Sequence, residues 1–144
     1  MYRIDPITKA ITMHRGDTGA FTVTAARASG ADWTDADRMI FTVATADKTK
    51  KIERYYRLDD GRTATTLPAG KVLVELHNGD TDTWANGQYQ TEIRFVVNAV
   101  WTGEAPEDDM VSALSPGVPQ IVDGVPVRVV IQSTMTLNDV YGEV

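Results

Sequence analysis

The side chains able to do chemistry in this chain are few and weakly grouped. Glu104, Glu107, Asp108 and Asp109 form an acidic cluster, and paired carboxylates are what general acid–base catalysis on a glycosidic or acyl bond requires. They stand in a stretch, 102–126, that holds four of the six prolines and no lysine or arginine. Such a composition reads as a long solvated loop, and a loop of that length in a compact domain serves contact or function. His14 and His77 are the only histidines; neither has the spacing of a zinc pair or of a nucleophile's base. Without cysteine, thiolate metal sites and disulfides are excluded. No catalytic residue, metal ligand or cofactor site is expected, and the chain reads as non-enzymatic.

The remaining motifs have simpler readings. Gly16-Asp17-Thr18 and Gly79-Asp80-Thr81 place an aspartate where it accepts hydrogen bonds from turn N–H groups. Asp80-Thr81-Asp82 opens like a calcium loop but lacks the sixth-position glycine and the downstream carboxylate. Arg15-Gly16-Asp17 falls where a hairpin turn is expected. Lys48, Lys50, Lys51, Arg54 and Arg57 with Tyr55 and Tyr56 combine charge with aromatic rings as a nucleic-acid surface does. Strand alternation explains them better, with Ile52, Tyr56 and Leu58 inward and the charges along an exposed face or edge. The net charge of -6 also repels a phosphate backbone.

What positions these residues is a set of strands. The 144 residues suit one domain, 1–144, with one core. The longest apolar run falls far short of the roughly 20 residues of a spanning helix, and the start has no signal-peptide core; a soluble, non-exported chain without membrane partners is expected. Ile11 to His14 and Ala20 to Ala25 read as two strands across a tight connection. Arg38 to Ala46 is β-branched and aromatic, a strand well inside a sheet. Asp47 to Lys51 forms a hairpin tip, and Ile52 to Leu58 follows as a half-exposed strand near an edge. Lys71 to Leu76 is another strand, and one helical turn fits between Asp80 and Ala85, with Asp80 as cap acceptor and Asn86-Gly87 as its end.

Gln88 to Val97 alternates most clearly, with Tyr89, Thr91, Ile93, Phe95 and Val97 on the core face. Its partner is Val127 to Leu137. The pattern predicts an all-β fold: an antiparallel β-sandwich of about seven strands with at most one short helical turn. A small barrel is the alternative. Trp33, Trp84 and Trp101 lie in or beside loops, as lids on the core or as binding anchors.

The order Ile11-Thr12-Met13-His14-Arg15-Gly16-Asp17-Thr18, the strand Asp37-Arg38-Met39-Ile40-Phe41-Thr42-Val43, then Asp80-Thr81 through Trp84-Ala85-Asn86-Gly87-Gln88-Tyr89 and a closing strand resembles phage tail and baseplate domains. It is most similar to the immunoglobulin-like N-terminal domain of upper baseplate proteins of phages and prophages, over 11–97 and 127–137. The resemblance implies a virion structural protein, made in the bacterial cytoplasm. It would dock to other tail subunits through sheet edges and loops and assemble as a homo-oligomer. The contact surface expected on these grounds comprises Trp101, Glu104, Glu107, Asp108, Asp109 and Tyr55. The other reading is a carbohydrate- or ligand-binding module using loop aromatics, Trp101 beside the acidic loop above all.

Overall fold

The computed structural model describes residues 2–4, 10–25, 30–62, 66–97, 99–101, 105–106, 108–111, 119–121 and 128–138. Among them the chain forms eleven strands and one four-residue helix. In chain order these are β1 (Tyr2–Ile4), β2 (Ile11–His14), β3 (Gly19–Thr24), β4 (Arg38–Ala44), β5 (Lys50–Arg57), β6 (Lys71–Leu76), α1 (Asn78–Thr81), β7 (Gly87–Val96), β8 (Ala99–Trp101), β9 (Met110–Val111), β10 (Pro119–Ile121) and β11 (Arg128–Asn138). The fold is all-β, as expected. The strands beyond the seven read from the sequence are β1, β8, β9 and β10, each of two or three residues, too short to show a period of two. No described helix is long and apolar enough to cross a membrane.

A seven-stranded sheet runs in the order β1-β2-β11-β7-β4-β5-β9, and β3–β6 and β10–β8 form two-stranded sheets. β11 pairs with β7 antiparallel but with β2 parallel, which corrects the expectation of a purely antiparallel fold. The reason is local. β2 and β3 form no hairpin; the chain turns at Arg15-Gly16-Asp17 and passes from the large sheet to the small one. Gly16 takes a φ of +85° there, and Asp17 N–H donates to His14 O at 3.0 Å. Freed from a hairpin partner, β2 accepts the last strand in either direction.

The core lies between one face of the large sheet and β3–β6. On β4, Met39, Phe41 and Val43 face it, and on β7 Tyr89, Ile93 and Phe95; Val23, Val72, Val74 and Leu76 close it from the small sheet. Phe21 of β3 meets Phe41 edge-on, centroids 5.7 Å apart. The alternation read on β7 holds from Gln88 to Phe95, with Gln88 and Gln90 exposed and Tyr89 to Phe95 buried on the odd positions, but Val97, expected on the core face, falls beyond the strand and is half-buried. Val96 is buried as well, on the opposite face, where it packs with Ile40, Tyr55 and Trp101. This second cluster makes β4 and β5 buried on both faces, correcting the expectation of a half-exposed β5.

The helical turn starts earlier than expected, at Asn78. Asp80 does cap it, but from the third helical position, its Oδ2 accepting the N–H of His77 at 2.7 Å, the backward half of a capping box. The two Gly-Asp-Thr turns meet, since Gly16 N–H donates to Thr81 Oγ1 at 2.9 Å.

At the β4–β5 tip, Asp47 Oδ1 accepts the Thr45 hydroxyl and, at 3.1 Å, the Thr49 N–H. The Thr45 hydrogen bond first, then those from Thr49, hold its carboxyl at about 2, below the ordinary 3.8. A depressed carboxylate stabilises the fold above its unfolded pKa, and that share is lost as pH falls from 3.8 through about 2. An NMR titration should therefore place the Asp47 midpoint near 2, and Asp47→Asn should flatten stability across that window. A midpoint at the ordinary value would refute the tip geometry.

Candidate interaction site

The acidic cluster and the basic strand that the sequence sets apart are brought together. Arg54, on the core side of β5 between Ile52 and Tyr56, is 3% exposed. Its guanidinium reaches Asp80 Oδ1 at 2.6 Å, donates to the carbonyl of Glu75 and lies 3.5 Å from Asp109 Oδ1. Burial opposes its charge, but Asp80 and Asp109 outweigh it and raise its pKa. Arg57 pairs with Asp59 through two hydrogen bonds, at 3.0 and 2.7 Å. The backbone N–H of Arg57 donates to Asp108 Oδ1.

Burial pushes the Asp108 carboxyl up, against the pull of that N–H and of Arg62, Arg57 and Arg38. A raised folded pKa favours the protonated form, so this share of stability is present at low pH and lost as pH rises through that value. Burial, with the charge of Asp109 adding to it, also moves the Tyr56 phenol well above its ordinary range. Its OH lies 3.4 Å from Asp109 Oδ1.

A buried arginine fixes the same segment from β4. Arg38 donates from Nε to Pro106 O at 2.7 Å and lies under the Trp101 ring, 5.8 Å from its centroid. Arg38 of β4, the Arg57 N–H and the Arg54 guanidinium of β5 thus hold Pro106, Asp108 and Asp109 in turn against the sheet, and a cavity of about 60 Å³ remains between Tyr56, Arg62, Leu73, Glu75 and Asp109.

This arrangement revises the expected contact surface. Tyr55 is 2% exposed and donates to Glu53 Oε1 at 2.9 Å, so it offers no surface. Trp101 meets Tyr55 edge-on at 5.9 Å, and its Nε1 donates to Ala36 O at 3.1 Å; it lies over the second cluster rather than forming a platform. Asp108 and Asp109 are tied to β5, and Glu104 and Glu107 lie outside the described residues. Trp33 stacks on Phe95, and Trp84 packs on Tyr89.

The feature the sequence reading misses is a contrast between two strand edges. Ala25 N–H donates to Gly70 O at 2.7 Å, in register with the pairs Val23↔Val72 and Phe21↔Val74. Antiparallel pairs alternate between bonded and non-bonded, so Ala20, Thr22 and Thr24 turn their N–H and C=O groups away from β6, and Lys71, Leu73 and Glu75 turn theirs away from β3. On the β6 side three of those groups are met: Arg54 caps the carbonyl of Glu75, Arg62 caps that of Lys71, and the Lys71 N–H donates to Pro68 O. Among the described residues β3 pairs with β6 alone, and its outer row has no cap. The available signal was the absence of charge from Thr18 to Ala26. Natural edges carry lysine, proline or a bulge to prevent pairing, and this one carries none. Comparison with family models, curated proteins and solved structures finds no match to this chain.

Proposed function

We propose that this protein is a non-enzymatic structural subunit of a phage or prophage tail or baseplate, working through protein–protein contacts in the virion. The observation that carries the reading is the uncapped, charge-free edge of β3 beside an edge that arginines close. An unblunted edge adds strands from other chains through main-chain hydrogen bonds, the way tail subunits would dock by their sheets. The all-β architecture and the resemblance to immunoglobulin-like baseplate domains support it further. Of the charged side chains that suggested other partners, Lys50, Arg54, Arg57, Asp108 and Asp109 are engaged within the fold.

The test is mass spectrometry of purified particles induced from the bacterium that encodes the chain. Peptides of this protein are expected in the particle fraction, in fixed ratio to tail subunits. Their confinement to the particle-free lysate would refute the reading.

A ligand-binding role has one observation in its favour, an open cavity of about 490 Å³ lined by Ala25, Gly30, Ala31, Asp32, Trp33, Asp60 and Ala69. An indole beside two carboxylates suits a neutral saccharide. Saturable quenching of tryptophan fluorescence by neutral oligosaccharides, lost in Trp33→Ala, would shift the assignment.

A further inference from the structure

We propose that the open edge of β3 pairs with the same edge of a second copy of this chain, antiparallel about a two-fold axis through Thr22. The result is a continuous four-stranded sheet, β6-β3-β3-β6. This rests on the assembly reading above and names its surface and partner.

Three features favour a second copy over a foreign strand. First, the register is self-complementary. With the axis at Thr22, each Thr22 faces its mate, Ala20 faces Thr24, and on the core side Phe21 faces Val23. All three outward pairs are of the bonded kind, giving about six new main-chain hydrogen bonds, two for each pair.

Second, the side chains fit such a pairing. Ala20, Thr22 and Thr24 are exposed, small or β-branched, and threonines facing one another across a ladder are favourable. They offer no charged or bulky group by which to select a different partner. Third, the charge distribution directs where copies meet. Two chains of net charge -6 repel over most approaches, and the strip from Thr18 to Ala26 carries no charge. An isologous two-fold contact is also the commonest way identical chains associate.

The test uses the full chain and its lack of cysteine. Light scattering across a concentration series should give a dimer or a multiple of it for the wild type. Thr22→Lys sets like charges opposite each other at an exposed position, so it should halve the mass, and at a dilution where the wild type is itself monomeric the two circular-dichroism melts should coincide. Thr22→Cys should form a disulfide-linked dimer under mild oxidation, because facing bonded residues have Cα atoms about 5.5 Å apart, within disulfide range. Thr24→Cys should link at least about tenfold more slowly, since its own mate is about 13 Å away along the strand.

A wild type that stays monomeric at every concentration overturns the proposal. So does an oligomer that Thr22→Lys leaves intact and Thr22→Cys does not link; the assembly reading then survives with a different surface. Absence from virus particles with the dimer intact would instead remove the assembly reading alone.

Discussion

Replacing Arg54 by methionine is expected to lower stability by about 3 kcal/mol, the lower end of the cost of removing one partner from a buried charge pair. The side chain is 3% exposed, so the wild type has already met the cost of desolvating its charge. The variant keeps the carboxylate of Asp80, 18% exposed, but loses the cation 2.6 Å from it. It also uncaps the Glu75 carbonyl and removes the positive charge nearest Asp109 and the Tyr56 phenol. Residual solvent at Asp80 and Asp109 keeps the figure from rising further. Arg54→Lys should recover less than half, because one ammonium cannot reproduce a planar fork that serves two acceptors on different elements. In thermal melts the methionine variant should lose ~6–12 °C, at roughly 2–4 °C per kcal/mol for a chain of this size. A loss below about 1 kcal/mol in urea titration would show that the capped edge is held by packing alone.

The same arginine shows where the sequence was legible and where it was not. Period-two alternation located β7 and the core positions Tyr89, Ile93 and Phe95, because one face of that strand is covered over its whole length. On β5 the same rule failed. Arg54 carries a charge that the pattern sends to an exposed face, yet it is 3% exposed, and its neighbour Glu53 is 2% exposed. Each is buried with partners from distant parts of the chain: Asp80 and Asp109 for Arg54, Arg94 and nearby Lys50 for Glu53. A linear pattern reports the polarity of a residue, not the polarity of what comes to lie against it.

Asp108 and Asp109, the described members of the acidic cluster, depart from the solvated-loop reading for a related reason. The loop's composition suits a solvated segment, but Asp108 and Asp109 find an arginine-rich strand whose charge neutralises theirs. The open edge of β3 was least legible of all, since turn chemistry at 15–19 serves a hairpin and a corner between sheets equally well. Only the destination of the chain decides which strand is left without a neighbour.

Gly70→Ala should cost about as much as the loss of Arg54, by a different route. Gly70 has a φ of +83°, and a Cβ built on it would lie 2.5 Å from the carbonyl oxygen of Ala25 and 3.2 Å from Trp33 Nε1. An alanine held in the left-handed region costs ~1–2 kcal/mol, and forcing a methyl into occupied space adds ~1–3 kcal/mol; about 3 kcal/mol is expected in all. The obstacle is backbone, so it cannot rotate aside. The Ala25 N–H to Gly70 O bond at 2.7 Å and the Gly70 N–H to Leu58 O bond at 2.9 Å tie the end of β3 to β6 and to the chain leaving β5.

Relief by backbone movement therefore pulls β3 off its register at the Thr24 end, beside the open edge. Hydrogen exchange should show it as faster exchange at Ala25 than at Val43 or Ile93 in the other sheet, and self-association through β3 should weaken along with the melt. Thr22→Lys, by contrast, should weaken association without lowering the melt of the monomer at high dilution. If Gly70→Ala melts within about 2 °C of the wild type, the turn has a second conformation that tolerates a side chain, and the register of β3 depends on the Phe21–Phe41 contact instead.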